Sequence, residues 1–183
     1  ANNAAKPDSA KKDVNPLYEV FMPALEQDNR NYAKGPALGY AHKKDMDKIS
    51  QMLAKEEVKK DLKGDVKFLW SAQPIDKAGR FYQLFAIKGS TTEAPLTGDV
   101  MTSAMPGTDD KGQQGVDMVM NSVGAQIWER MTAFAANGDP NFPNKSIAIV
   151  MDNTVYSAPS VGGAIAGGKS QISGSFTAQE AKD

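Results

Sequence analysis

The sequence predicts an α+β fold of two small parts, and three observations support this prediction. Stretches with apolar residues at every third or fourth position, typical of helices, occur among stretches with apolar residues at every second position, typical of strands. Residues 1–95 carry 16 basic and 13 acidic groups, a net charge of +3, whereas residues 96–183 carry 5 and 9, a net charge of −4. Between the two parts, residues 89–95 are loop formers, which favours a boundary there.

The composition excludes several kinds of site. The 183 residues include no cysteine and a single histidine, His42. Disulfides, thiol nucleophiles and cysteine-bound zinc are therefore excluded, and a catalytic triad or a histidine-rich metal site would depend on His42 alone. The net charge of −1 gives no electrostatic case for nucleic-acid binding. No apolar run approaches the roughly 18 residues of a membrane span, so we expect the chain as given to be soluble.

The first part begins with a polar, lysine-rich arm at 1–13, which we expect to be disordered. A helix is predicted over 45–62, with Asp45 as its N-cap, and the gap between Leu53 and Val58 allows a break into two short helices. The other predicted elements are an apolar cluster at 17–22 that ends at Pro23, a strand through 38–40, and strands at 66–70 and 81–87 joined by a loop at 74–79.

The second part contains a predicted strand at 116–120 and a helix capped by Ser122. The apolar face of that helix comprises Ile127, Trp128, Met131 and Phe134, and 137–140 ends it. Further on, we predict a buried strand at 147–151, a two-residue turn at Asp152–Asn153, a return strand at 154–156, and strands at 161–165 and 171–173. A capping box at 177–180 predicts a helix that starts at Ala178, so we expect the natural sequence to continue beyond Asp183.

Residues 163–170, GAIAGGKS, match the phosphate-loop pattern G-x-x-x-x-G-K-[ST]. Phosphate binding requires the loop to open a helix, so that helical N–H groups face the phosphates. Here a β-like residue and a glycine, Ile172 and Gly174, follow where that helix should run. The pattern is therefore interpreted as a chance match, and a nucleotide hydrolase stays an unlikely alternative.

Four apolar residues near the start of the first part, Leu17, Tyr18, Phe21 and Met22, are candidates for contact with a partner. The alternative is that this short cluster belongs to the core. Trp70 and Trp128 lie on apolar faces and are interpreted as packing anchors. No residues form a recognisable catalytic, metal or cofactor site, so none is predicted.

The second part resembles the SecD family of protein-export proteins. Residues 145–159, KSIAIVMDNTVYSAP, and 167–177, GGKSQISGSFT, with Glu180-Ala181 after them, are similar to two SecD motifs at matching spacings. The turn is Asp-Asn where the family often has Asp-Gly, and both residues tolerate a left-handed turn. The first part is similar, chiefly by position and by 35–36 and 68–70, to the insert of fused SecDF proteins.

The resemblance implies the first periplasmic domain of SecD, an accessory subunit of the Sec translocon. It implies a ferredoxin-like base, of which 97–183 is the later half, and an inserted head at 14–90 that swings about a hinge at 91–96. The hinge candidates are Thr92, Pro95 and Leu96. The incomplete base leaves an unpaired sheet edge, which favours a dimer of the isolated chain.

In that family, proton-driven membrane helices outside this chain power export, and the periplasmic domain draws the emerging polypeptide outward. The implied partners are the unfolded preprotein, the translocon channel and the SecF part, and the implied location is the periplasmic face of the bacterial inner membrane. No catalytic residue or cofactor carries over. The remaining alternative is a small-molecule or lipid-binding module of a SecD-related transporter.

Overall fold

The part of the chain that the computed structural model describes comprises residues 15–26, 31–33, 35–62, 65–88, 93–109, 112, 114–138 and 145–173. The predicted arm at 1–13, the hinge candidate Thr92 and the capping box at 177–180 lie outside these residues. The described residues form helices and antiparallel sheets, so the α+β class is confirmed. Among them, no helix is both long enough and apolar enough to cross a membrane.

The first unit, described here up to Lys88, is built on a four-stranded antiparallel sheet. Its strands, in spatial order, are β1 (Phe21–Pro23), β2 (Ala37–His42), β4 (Phe81–Lys88) and β3 (Val66–Trp70). The three strands predicted in this part are confirmed. Their side chains alternate between two faces because the strand repeat is two residues. The apolar cluster predicted at 17–22 contributes to a 3₁₀ turn over Pro16–Glu19 and supplies the first two residues of the short strand β1.

Two short helices follow β2, α1 (Met46–Leu53) and α2 (Glu56–Asp61), so the predicted break is confirmed. Asp45 occupies the N-cap position of α1 but its side chain makes no capping hydrogen bond. Ile49 of α1 is fully buried, and it packs with three residues of the sheet to form the core: Phe21, Ala41 and Leu84. Trp70 is half-buried beside this core, and its Nε1 donates to Ser50 Oγ at 3.0 Å.

The loop between β3 and β4 is held by one carboxylate, that of Asp76. Its Oδ1 accepts from the backbone N–H of Arg80 and of Phe81, each at 2.8 Å, and its Oδ2 accepts from Arg80 Nε at 3.0 Å. The N–H of Phe81, and after it the Arg80 side chain, lower the pKa of Asp76 from 3.8 to about 2. Donors directed at the charged form stabilise that form.

This loop predicts an acid sensitivity. Because the folded-state pKa of Asp76 lies below its unfolded value, its contribution to stability is complete above about pH 4 and is lost as the pH falls towards 2. We expect Asp76→Asn to lower the melting temperature at pH 7, whereas at pH 2 wild type and variant should melt at similar temperatures. Melting curves of wild type and variant across this range measure it, with the exposed Asp47→Asn as control. Parallel curves for wild type and Asp76→Asn at all pH values would contradict the prediction.

The second unit, described from Glu93 onward, contains a three-stranded antiparallel sheet and one long helix. The strands, in spatial order, are β5 (Met101–Thr108), β6 (Gln114–Met120) and β9 (Lys169–Ser173), and the helix is α3 (Ser122–Asn137). The sequence did not predict β5, because its residues MTSAMPGT, apart from two methionines, are small or polar, include a proline and show no alternating apolar pattern. Strand β9 and the strand at 116–120 are confirmed.

The helix α3 differs in two details from its prediction. Asn121, and not Ser122, is the N-cap, because its Oδ1 accepts from Gly124 N–H at 2.9 Å. Phe134 was placed on the buried face, and this was wrong: it is 61% exposed. The buried residues recur every four positions, at Gly124, Trp128 and Thr132. Phe134 lies two residues past this stripe, which is over half a turn away at 3.6 residues per turn. The helix ends as predicted, at Gly138 with φ +72°.

A separate hairpin joins the two units. It consists of β7 (Ile149–Met151) and β8 (Thr154–Ser157), and the predicted turn is confirmed by positive φ values at Asp152 and Asn153. The prediction of a buried strand over 147–151 was wrong, since β7 is shorter and its last two residues are exposed. Its only strand partner among the described residues is β8, which leaves it uncovered. The strand predicted at 161–165 was also wrong, because these residues form a loop.

Strand β8 docks on the edge strand β3 of the first unit. Ser71 and Val155 form a parallel bridge, and Ala72 N–H donates to the Val155 carbonyl at 2.8 Å. Val155 is only 2% exposed although its hairpin has just two strands. The backbone of β8 therefore extends the first sheet beyond the end of β3.

Candidate functional site

An open apolar groove of about 650 Å³ lies on the first unit. Met22, Tyr40 and Gln83 are cross-strand neighbours on β1, β2 and β4, so their side chains share one face of the sheet. The core residues Ala41 and Leu84 adjoin them in sequence and therefore lie on the opposite face, towards α1. The residues that line the groove are Tyr18, Phe21, Met22, Pro23, Ala24, Leu25, Tyr40, Ile75 and Gln83.

The rim of the groove exposes large apolar side chains. Tyr18 is 52% exposed, and Ile75, from the loop before β4, is 48% exposed. The hydroxyl of Tyr18 lies 3.3 Å from that of Tyr32, and this hydrogen bond raises the pKa of Tyr18 above its ordinary value. The Tyr18 side chain therefore presents an aromatic face with a polar tip at the rim.

The edge strand β1 is closed to further strand pairing by a proline. Ala24 N–H donates to the carbonyl of Leu38 at 2.8 Å, towards β2. Successive backbone groups of a strand point to alternate sides, so the nitrogen of Pro23 points outward, where it has no hydrogen to donate. A ligand of this groove is thus bound by side-chain contacts rather than by addition of a strand.

The chemistry of the groove is apolar and aromatic. None of the described residues that line it is charged, and the single amide side chain is that of Gln83. Exposed apolar clusters of this kind on a soluble surface are typical of interaction sites. The arrangement suits an extended apolar segment held by van der Waals contact, with the Tyr18 and Tyr32 hydroxyls and Gln83 available for hydrogen bonds.

The groove depends on a close approach between β1 and β2 at Gly39. A Cβ atom at this position would overlap the carbonyl oxygen of Met22 and lie 2.6 Å from the Phe21 ring. We expect Gly39→Ala to push β1 away from β2, to lower the free energy of unfolding by about 1–3 kcal/mol and to weaken the binding of any ligand in the groove. Chemical denaturation measures the first effect, with Gly35→Ala, which has open space around it, as the control. Equal stabilities of the two variants would disprove the close contact.

The structure separates the four candidate contact residues of the sequence analysis into two pairs. Tyr18 and Met22 are exposed and line the groove. Leu17 is half-buried against the core, and Phe21 is 7% exposed and belongs to it, although its ring also reaches the groove. The core interpretation therefore applies to Leu17 and Phe21, and contact with a partner stays a prediction for Tyr18 and Met22.

Sequence reasoning missed the other half of the groove. Leu25, Tyr40 and Ile75 lie far apart in the chain, and only the pairing of strands and the return of the β3–β4 loop bring them together. One signal was available at Ile75, an isolated apolar residue within the polar loop PIDKAG. Such a residue in a loop has no core of its own to enter.

The hinge candidates that the structure describes, Pro95 and Leu96, lie in the irregular segment before β5. Pro95 is exposed and Leu96 is half-buried. This segment follows β4 and precedes a 3₁₀ turn over Gly98–Val100. Its described residues, 93–97, form no helix or strand that would hold the two units together, so the contact between β8 and β3 is the more substantial link.

A second, smaller cavity of about 230 Å³ lies in the second unit, between α3, β9 and the loop at 159–165. Trp128 lines it and is 6% exposed, and its Nε1 has no hydrogen-bond partner among the described residues. A buried donor without a partner costs about 1–3 kcal/mol. Thr132, fully buried one turn later, is by contrast satisfied: its hydroxyl accepts from Ile165 N–H at 2.9 Å and donates to the Trp128 carbonyl at 2.7 Å.

The phosphate-loop pattern at 163–170 does not have phosphate-loop geometry. Lys169 and Ser170, its last two residues, belong to β9, which pairs antiparallel with β6. Gly167 and Gly168 form the turn before that strand, with φ values of +81° and +69°. A phosphate loop must instead open a helix. The interpretation of the pattern as a chance match is therefore confirmed.

Comparison with known proteins places these features in a family. The family model described as "SecDF, P1 head subdomain" matches residues 82–183, which are 102 of the 183 residues. The match begins in β4 of the first unit and includes the whole second unit. Most of this range corresponds to the predicted base at 97–183, whereas the family description uses the word head.

The curated relatives are proteins named "Protein translocase subunit SecD". That of Rhodothermus marinus is 35% identical over 177 residues, which cover 96% of this chain and 26% of the relative. That of Calditerrivibrio nitroreducens is 41% identical over 92 residues, which cover 50% of this chain and 16% of the relative. The chain thus spans about a quarter or less of the length of these relatives.

Among solved structures, "Crystal structure of SecDF in Super-membrane-facing form" is similar to 89% of this chain and 17% of its own, with 24% identity and a TM-score of 0.42. The family match over more than half of the chain, and the Rhodothermus marinus relative along nearly all of it, confirm the resemblance found in the sequence. The chain belongs to the SecDF P1 head family of the SecD and SecDF protein translocase subunits.

Proposed function

We propose that this chain is the polypeptide-binding part of a SecD-type accessory subunit of the Sec translocon. One observation carries the proposal: the apolar groove at Tyr18, Met22 and Ile75 is exposed, uncharged and closed to strand addition. Family membership supplies the context, because the relatives are named as protein translocase subunits. An emerging, unfolded polypeptide exposes the apolar segments that such a groove can cover.

In this proposal, membrane helices outside the chain take energy from the proton gradient, and the groove holds the polypeptide as it emerges on the periplasmic face of the inner membrane. The partners are the unfolded preprotein, the translocon channel and the SecF part. The role is mechanical and needs no catalytic residue or cofactor in this chain. Support comes from the family and from the chemistry of the groove.

Site-specific photo-crosslinking tests the groove. A photoreactive amino acid at Met22 should crosslink to an unfolded secretory protein, and the same amino acid at Met151 should not. Both methionines are exposed, at 38% and 47%, so accessibility alone favours Met151. Equal crosslinking from the two positions would show that contact is unspecific.

The alternative of a small-molecule or lipid-binding module is less well supported by the groove. Its shallow, open form leaves one side of a ligand in water, whereas small-molecule sites bury about 70–90% of their ligand. A lipid that competes with the crosslink at Met22 would favour this alternative.

We also propose that residues 91–96 act as a hinge between the two units. The change in charge at Pro95 and the irregular segment up to Leu96 support it. The family description applies the word head to 82–183. The hinge proposal therefore does not depend on which unit is called the head and which the ferredoxin-like base that the resemblance implies. Distances between labels on the two units, measured with and without unfolded polypeptide, test the hinge.

A dimer of the isolated chain stays a further proposal. Strands β5 and β9 are the edges of the second sheet, and neither has an outer strand partner among the described residues. Pro106 interrupts the donors of β5, so β9 is the more suitable edge for pairing with a second copy. A strictly monomeric mass in sedimentation at high concentration would argue against this.

A further inference from the structure

Two features of the cavity beside Trp128 are explained neither by packing of the core nor by the groove on the first unit. Its wall is apolar, with Ile147, Val161, Ile165 and Ile172 around the indole ring. The indole N–H is a strong donor, yet it lies buried without an acceptor among the described residues. Buried donors in proteins nearly always have a partner, so this one indicates an acceptor that the described residues do not supply.

The outer wall of the cavity is a short segment of small residues between two fixed points. Val161 N–H donates to the Lys145 carbonyl at 2.6 Å, and Ile165 N–H donates to the hydroxyl of the buried Thr132 at 2.9 Å. Between these bonds, residues 162–164 are exposed, and open space surrounds Gly162 and Gly163. We call residues 162–164 the lid segment. Few contacts resist a small displacement of this segment.

The size of the cavity limits its ligand. A cavity of about 150 Å³ holds a benzene molecule, and sites for drug-sized ligands occupy about 300–1,000 Å³. At about 230 Å³, this cavity fits one aromatic or branched aliphatic side chain with its neighbouring backbone carbonyl. An acyl chain of a lipid is too long for it.

We propose that the Trp128 cavity binds one apolar side chain of an extended polypeptide, with the adjacent backbone carbonyl accepting from Trp128 Nε1. The N–H is shielded in the present conformation, so residues around the indole must shift to admit the carbonyl, and the lid segment is the part of the wall with the fewest contacts. This inference rests on the proposed function for the nature of its ligand, but the cavity is separate from the groove. The cavity is thus a second site, on the other unit, that selects single large apolar residues.

The two tryptophans make the test specific, because each indole N–H gives its own signal in a ¹H–¹⁵N spectrum. Trp70 Nε1 donates to Ser50 Oγ and serves as the internal reference, and Trp70→Phe assigns the two signals. The probes are N-acetyl-phenylalaninamide, N-acetyl-leucinamide, N-acetyl-glycinamide and lauric acid, each added to the 183-residue chain.

We expect the phenylalanine and leucine amides to move the Trp128 indole proton downfield, as gain of an acceptor does, with saturation and without movement of the Trp70 signal. The glycine amide and lauric acid should leave both signals in place. Trp128→Phe keeps the ring apolar but removes the donor, and we expect about ten-fold weaker binding of the leucine amide, measured by calorimetry.

Three results would overturn the proposal. The Trp128 signal could stay fixed with both apolar amides, it could respond to lauric acid alone, or it could lie in the hydrogen-bonded range before any probe is added, which would indicate a held water molecule. Each result is obtained on the wild-type chain, so a fold defect in the variant does not affect it. Crosslinking at Met22 reports on the groove independently, so loss of one site is distinguishable from loss of the other.

Discussion

Replacing Tyr18 and Met22 together by serine is expected to weaken binding of an unfolded secretory protein more than ten-fold. Full burial of a large apolar side chain contributes about 1.5–3 kcal/mol. Both residues are roughly half exposed in the free chain, so covering the remainder contributes about 2 kcal/mol for the pair, and 1.4 kcal/mol corresponds to a factor of ten. Fluorescence anisotropy of a labelled, reduced secretory protein measures the loss.

The chain offers a matched control for this experiment. Met151 and Tyr156 are also a methionine and a tyrosine, both about half exposed, on the β7–β8 hairpin of the second unit. The double serine variant at these two positions removes the same apolar area from the surface, and we expect it to bind almost as wild type does. If both double variants lost affinity equally, the proposal that the groove is the binding site would be wrong.

Val155→Asp is expected to detach the hairpin from the first unit and to lower the free energy of unfolding by at least about 2 kcal/mol. The side chain of Val155 is 2% exposed, so the variant loses apolar burial and places a carboxylate in a buried position. The sensitive readout is the amide hydrogen of Ala72, whose acceptor is the Val155 carbonyl. Its exchange with solvent should accelerate to the rate of an exposed loop.

The neighbouring valine provides the control. Val150 lies opposite Val155 in the same hairpin and is 38% exposed. Val150→Asp introduces the same charge into the same two strands at an exposed position, where the carboxylate stays hydrated, so protection of Ala72 should persist. Unchanged exchange at Ala72 in Val155→Asp would mean that β8 is not docked on β3 in solution. Loss of the protection of the Ala72 amide without global unfolding would show that the two units separate, as the hinge proposal requires.

The first unit was largely predictable because its signals are local. Val66, Phe68 and Trp70 alternate, and the helical spacing around Ile49 with its gap after Leu53 marks two helices. The second unit was harder. Strand β5 has no alternating apolar pattern and is defined by its pairing with β6, while 147–151 is apolar enough to suggest burial that the fold does not provide. An apolar run tends to be buried, but whether other residues pack over it depends on the rest of the chain.

The sequence by itself determined the α+β class, the positions of the sharp turns and the family. These depend on periodicity, on residues that accept left-handed backbone such as Asp152 and Asn153, and on motif spacing, all of which act over short stretches. Only the tertiary structure decided which apolar residues face water. It divided Phe21 from Met22, assembled Ile75 with Tyr18, docked Val155 and left the Trp128 donor without an acceptor. Burial and hydrogen-bond satisfaction are properties of contacts between distant residues, and the candidate sites consist of such contacts.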